Sequence, residues 1–294
     1  MSNTIASRSG SQPSGSLASG SLASASTDAG VAQPVLLRQQ DDHIAILTLN
    51  RPQTRNALSE AMLDALTKAI EDIRTDGDIR AVVLAAIGPA FCAGHDLKEL
   101  TDRRADADGG RAYFADIMGR CARLMQAIVR CPKPVIAAVE ATAMAAGCQL
   151  VATCDLAVAA DTARFSTPGV NIGLFCSTPM VALTRNVSRK RAMEMLLLGE
   201  LLSARDACAY GLVNRVVPPG RAMDEAMGMA RTIAQKSAAT VAIGKQTFYA
   251  QIEEGLSEAY NLAANVMVEN MMFADANEGI GAFIERRTPE WKGR

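Results

Sequence analysis

The run Pro134–Ala160, PVIAAVEATAMAAGCQLVATCDLAVAA, decides the fold. It opens on Val135–Val139, a continuous apolar stretch after Pro134 that reads as a buried strand. A short helix starts near Ala146, and Leu156–Ala160 supplies a further apolar strand. Strands that are apolar on both faces and alternate with helices argue an α/β fold with covered sheets. One residue is out of keeping. Gln149 is an amide within Met144–Leu150, MAAGCQL, where every other residue is small or apolar.

Working towards the N-terminus, the signals agree. His43–Asn50, HIAILTLN, alternates and is rich in β-branched residues, so it reads as a strand ended by Arg51-Pro52. Ser59 is placed to cap a helix whose apolar positions Met62, Leu63, Leu66, Ile70 and Ile73 recur at helical spacing. Arg80–Ile87 is a strand apolar on both faces, broken by Gly88-Pro89, and a helix is expected around Ala112–Arg130. Beyond Pro179 the pattern is mostly helical. Ser203 is placed as a cap, and Ala222–Ile284 reads as several helices that must pack on the core or on another subunit. Three regions follow: a tail over residues 1–33, a core over 34–220 and a helical region over 221–294. The tail includes SGSLASGSLASAS (Ser14–Ser26), which cannot bury a core and is expected to be disordered.

Composition limits the function classes. The chain has 294 residues, 49% hydrophobic and 21% charged, with a formal net charge of −1. No basic footprint for nucleic acid or an anionic membrane is present, and no apolar run approaches the roughly 20 residues of a membrane span. The 7 cysteines show no CxxC spacing and there are 2 histidines, His43 and His95, so neither a zinc site nor a disulfide framework is indicated. The tail carries one arginine, Arg8, and no hydrophobic signal core, which favours a cytoplasmic protein, with the mitochondrial matrix as the alternative.

Two loops could carry chemistry. Phe91–Leu100, FCAGHDLKEL, has small residues where backbone can approach a ligand. Ala145-Ala146-Gly147 opens a helix, where unpaired amides and the positive dipole end collect. Two such loops brought together would hold an oxyanion. Spacing alone does not bring them together.

These pieces resemble the enoyl-CoA hydratase/isomerase, or crotonase, superfamily. The matching stretches are Asn50-Arg51-Pro52 with Arg55–Leu58, FCAGHDLKEL, KPVIAAV, MAAGCQLVATCDLAVA, FSTPGVNIG and SARDACAYGLVNRVV, in order over about residues 35–290. The resemblance implies a spiral of ββα turns with a C-terminal helical trimerisation region, in a homotrimer or a dimer of trimers. It implies an acyl-CoA thioester as substrate, with coenzyme A as part of that substrate and no further cofactor. It implies that the main-chain amides of His95 and Ala146 stabilise a thioester enolate, each donor typically worth about 3 kcal/mol of barrier. Arg55, Ala57, Ala93, Asp96, Leu97 and Lys98 fall where the family lines the coenzyme A channel. Phe248, Phe283 and Arg286 fall where the coenzyme is touched from the same or a neighbouring chain.

The chain departs from the family at both glutamates that manage the water of hydration. Gln149 stands at the first position and Gly169, after Thr167-Pro168, at the second. Glutamine can orient water but does not titrate near neutral pH, and acid–base help is commonly worth 10²–10⁴-fold. Gln149 is expected to face the same pocket as the amides. The His95 imidazole could take over proton transfer, or could face away or pair with Asp96. Cys148 and Cys176 lack an adjacent base and read as packing, and Glu140 reads as structural. Three functions remain: a hydratase/isomerase-type enzyme, an acyl-CoA binder without turnover, and a different enolate reaction such as thioester hydrolysis or decarboxylation.

Overall fold

The computed structural model describes residues 33–294, so the expected tail lies outside the described residues except for Gln33. The strands are β1 (Leu36–Asp41), β2 (Ile44–Leu49), β3 (Ala81–Ala86), β4 (Ala90–Cys92), β5 (Val135–Val139), β6 (Thr142–Met144), β7 (Leu156–Ala160), β8 (Arg164–Ser166), β9 (Leu202–Ser203) and β10 (Arg215–Val217). The first seven helices are α1 (Glu60–Thr75), α2 (Leu97–Asp102), α3 (Arg111–Arg130), α4 (Ala146–Thr153), α5 (Ser177–Leu183), α6 (Arg189–Leu198) and α7 (Ala204–Tyr210). The last four are α8 (Ala222–Ala234), α9 (Ala238–Gln251), α10 (Leu256–Met271) and α11 (Ala274–Glu285). The strands expected at Val135–Val139 and Leu156–Ala160 are present at those bounds, and α4 begins at Ala146. Ser59 and Ser203 accept from Met62 N and Asp206 N, as their positions predict.

Two sheets form, ordered β1-β2-β3-β5-β7-β10 and β4-β6-β8-β9. In the larger sheet β1 and β2 are antiparallel and every later neighbour is parallel. Each turn of the chain lays one long strand in the larger sheet and one short strand in the smaller: β3 then β4, β5 then β6, β7 then β8. Because successive side chains point to opposite faces, the large sheet feeds two cores. Leu47, Leu49, Val82, Leu84, Val135, Ala137 and Val139 join the main core with α1, α3 and α4. Ile44, Ala81, Val83, Ile136 and Val158 face Ala222, Ala226, Met227 and Ala230 of α8.

Residues 34–294 make one compact unit. The helical region expected from residue 221 therefore gives its first helix to the core, because the Ala222/Ala226/Ala230 stripe lets α8 lie close on the sheet. Glu140, expected to be structural, accepts from Gly220 N at 2.9 Å and Ala222 N at 2.6 Å and so fixes the start of α8. Helices α9–α11 expose apolar side chains, including Phe248, Leu256, Tyr260, Met272 and Phe283. A buried clamp ties α9 down. Lys245 Nζ donates to Asp155 Oδ2 at 2.7 Å and to the carbonyls of Ile128 and Lys133. No helix among the described residues is long and apolar enough to cross a membrane.

Candidate active site

The loop after β4 and the start of α4 meet. Gly94 takes φ +96°, and a β-carbon there would stand 3.0 Å from Ala145 Cβ and 3.4 Å from Ala146 N. Glycine is needed on both counts, conformation and contact. A β-carbon on Gly147 would run into the carbonyl of Cys92, so the first turn of α4 rests directly on β4. The two segments that the sequence could not bring together are thus one unit. Ala145 joins β6 to α4 at φ 48°, ψ −119°, a strained region for a residue with a side chain. Its N–H donates to Ser166 O at 2.9 Å, which anchors the bend on β8.

A third segment braces these two. Leu58 N donates to Gly94 O at 2.8 Å and Ala93 N donates to Arg55 O at 3.0 Å. Arg55 and Asn56 both have positive φ. The fully buried Asn56 amide holds this turn, accepting from Arg51 N and donating to Ile87 O and Ala90 O. Asn56 positions the site, and the sequence reading gave it no role. The visible signal was an asparagine, a residue type that tolerates left-handed backbone, beside a proline-terminated strand.

Around this junction lies a cavity of about 860 Å³. His95 and Ala146 both line it, and neither main-chain N–H donates to another main-chain acceptor among the described residues. Ala146 N belongs to the first turn of α4, where amides are unpaired and the dipole end is positive. Arg55, Ala57, Ala93, Asp96, Leu97 and Lys98 line the same cavity, so every residue expected in the coenzyme channel reaches it. Asp96 also caps α2 by accepting from Lys98 N at 3.0 Å. Phe248, Phe283 and Arg286 are not in this wall, and Phe283 is 84% exposed.

Gln149 departs from expectation. It is 4% exposed, it does not line the cavity, and its Oε1 faces Cys121 Sγ of α3 at 4.0 Å. The physical reason is that every residue of α4 is buried, and this position, one turn beyond Ala146, meets α3. Gly169 does line the cavity, but a β-carbon there would stand 2.6 Å from Leu174 O and 2.9 Å from Cys176 Sγ. The turn through Leu174 fills the space into which a side chain would grow.

The remaining candidates are also placed. Both ring nitrogens of His95 are buried without a hydrogen bond of normal geometry, so the imidazole does not pair with Asp96. Burial, partly offset by the Leu58 backbone, holds its pKa below the ordinary 6.5, so the neutral ring predominates at pH 7. Burial pushes the Cys148 thiol up to about 12 and raises that of Cys176 as well, so neither is a ready thiolate. Cys176 nevertheless lines the cavity, together with Met118, Met144, Ile172, Leu174 and Phe175, which give that wall an apolar character. Cys176 reads as packing in the sequence, and the others are given no role there because they come from α3, β6 and the turn and loop after β8 with no common period.

A family model described as enoyl-CoA hydratase/isomerase matches residues 39–294. The enoyl-CoA hydratase domain-containing protein 3, mitochondrial, of Xenopus laevis is 48% identical, covering 88% of this chain and 86% of its own. A crystal structure of enoyl-CoA hydratase from Mycobacterium smegmatis is 54% identical with a TM-score of 0.84, covering 88% of this chain and 99% of that one. The structure of human enoyl-CoA hydratase domain-containing protein 3 is 46% identical with a TM-score of 0.83, covering 88% and 100%. The vertebrate relatives are designated mitochondrial, and the cytoplasmic expectation finds no support in those names. With the fold, the ordered motifs and these matches in agreement, the chain belongs to the enoyl-CoA hydratase/isomerase family.

Proposed function

We propose that the protein binds an acyl-CoA thioester and stabilises its enolate between the amides of His95 and Ala146. The observation that carries this reading is the junction itself. Gly94 and Gly147 allow the β4 loop and the α4 start to touch, and both amides then border one cavity. Donors fixed by the fold before the reaction stabilise developing charge without reorganisation. Arg55 and Lys98 in the wall offer positive charge to coenzyme phosphates. The coenzyme is part of the substrate, and we assign no further cofactor.

Ordinary hydration is not the favoured outcome. Gln149 is buried against α3 and does not titrate, and the Leu174 turn occupies the space beside Gly169. These two observations also support a second reading, an acyl-CoA binder without turnover. Two measurements separate the readings. Saturating acyl-CoA should raise the melting temperature, since a ligand that prefers the native state stabilises it. Enoyl thioester absorbance, followed with crotonyl-CoA and longer chains, should fall slowly or not at all. The lack of any melting shift would defeat both readings, and rapid hydration would defeat the argument from the missing carboxylates. Product formation from malonyl-, hydroxyacyl- or aryl-CoA, found by mass spectrometry, would point to another enolate reaction. The exposed apolar faces of α9–α11 support self-association as a homotrimer or a dimer of trimers.

A further inference from the structure

The His95 side chain, like the main-chain amides of His95 and Ala146, is left in the site with unmet bonding capacity. Its backbone is fixed by the Leu58–Gly94 hydrogen bond and the Leu58–His95 bridge, so only its side-chain torsions are free. The residue lines the cavity, yet both ring nitrogens are shut off from solvent and neither makes a hydrogen bond of normal geometry, the Leu58 backbone offering only a poorly aligned contact. An imidazole buried in this way carries a desolvation penalty that one good partner would relieve. A half-turn about χ2 exchanges the Nδ1–Cε1 edge of the ring for the Cδ2–Nε2 edge and so sets each nitrogen where a ring carbon stood, at little cost because the two wells are nearly equivalent.

We propose that His95 is a specificity-determining residue whose ring turns to bind a hydroxyl group on the acyl chain close to the thioester carbonyl. The inference rests on the acyl-CoA reading of the cavity. The ring springs from the same Cα as the oxyanion amide, so its reach is limited to the first carbons beyond the thioester. A neutral imidazole offers one donor and one acceptor. A hydroxyl satisfies either nitrogen, and it remains neutral inside a wall made largely of Met118, Met144, Ile172, Leu174 and Phe175. A carboxylate can only accept, and it must give up its hydration to enter.

The test is calorimetric titration of the full chain with butyryl-CoA, 3-hydroxybutyryl-CoA (each enantiomer) and malonyl-CoA. The parent protein should bind one 3-hydroxybutyryl enantiomer about ten-fold more tightly than butyryl-CoA, the size expected for one hydrogen bond to a buried group. His95→Phe retains the main-chain amide and should bind the two thioesters equally. His95→Leu makes the same test with a smaller apolar side chain. The unmodified protein gives an independent readout. With 2 histidines in the chain, imidazole ¹⁵N resonances resolve His43 from His95, and 3-hydroxybutyryl-CoA should shift the His95 signals where butyryl-CoA does not. Equal affinities in the parent, a preference that survives in His95→Phe or His95→Leu, or tighter binding of malonyl-CoA would overturn the inference while leaving acyl-CoA binding intact. Failure of all three thioesters to bind would overturn the reading of the cavity as well.

Discussion

The main chain of Leu174 stands where a side chain at residue 169 would begin. A β-carbon on Gly169 would lie 2.6 Å from Leu174 O, and Leu174 N in turn donates to Gly169 O at 2.9 Å. The missing second glutamate is therefore not a simple deletion that substitution restores. The turn has closed over its place. Gly169→Ala should cost about 1–3 kcal/mol, the range for forcing atoms into a packed site, read from denaturant unfolding. Gly169→Glu should cost at least as much. Combined with Gln149→Glu, it should not produce the large gain in crotonyl-CoA hydration that an open seat would allow. A Gly169→Ala protein as stable as the parent would show that the turn yields freely.

This relationship marks the limit of what the sequence discloses. The strands Val135–Val139 and Leu156–Ala160, the start of α4 and the caps Ser59 and Ser203 are local matters of apolar runs and capping chemistry, and each was legible. The smaller sheet was not, because β4, β6 and β8 are three residues each, too short to show a period. The cavity residues expected in the coenzyme channel came from ordered motifs. Asn56, the Leu174 turn and the direction of Gln149 depend on contacts between distant segments, which spacing does not encode.

Ala145 holds φ 48° and ψ −119° so that Ala146 can present its amide. Conformations of this kind cost a residue with a side chain about 1–3 kcal/mol. Glycine relieves that strain but adds about 0.5–1 kcal/mol of unfolded-state entropy. Ala145→Gly should therefore stabilise the protein by about 1 kcal/mol, visible as a higher melting temperature. A fall in melting temperature would mean that the alanine methyl packs well enough to outweigh the strain.

Lys245 and Asp155 form an ion pair whose side chains are 6% and 15% exposed. Asp155 also accepts from Val135 N and from the Tyr249 hydroxyl, so the carboxylate joins β5 to α9. Removing one partner of such a pair leaves a buried charge uncompensated, typically at about 3–5 kcal/mol. Lys245→Met should lose stability on that scale, and adding Asp155→Asn should recover part of it. The double-mutant cycle checks the coupling. Additive losses would mean that the two charges act independently.

Asp275, at 1% exposure, ties the chain end to the start of α9. Its carboxylate accepts from the Ser237 hydroxyl at 2.6 Å, from Lys292 N at 2.6 Å and from Gly293 N at 2.9 Å. Burial alone would raise its pKa, but the Ser237 hydroxyl and the two amides outweigh burial and hold it below the ordinary 3.8. A carboxyl group with a depressed folded value contributes stability that is fully present above 3.8 and is lost as pH falls through the folded value. Asp275→Asn should therefore melt below the parent at pH 7, and the two melting curves should converge as the solution is taken below pH 3.8. A gap that stays constant with pH would assign the loss to hydrogen-bond geometry and not to the charge. If the proposed self-association runs through the helical region that exposes Phe283 and Met272, the same acid window should loosen it before the core unfolds. Sedimentation across that window measures this directly, and an oligomeric state that outlasts core melting would separate the anchor from assembly.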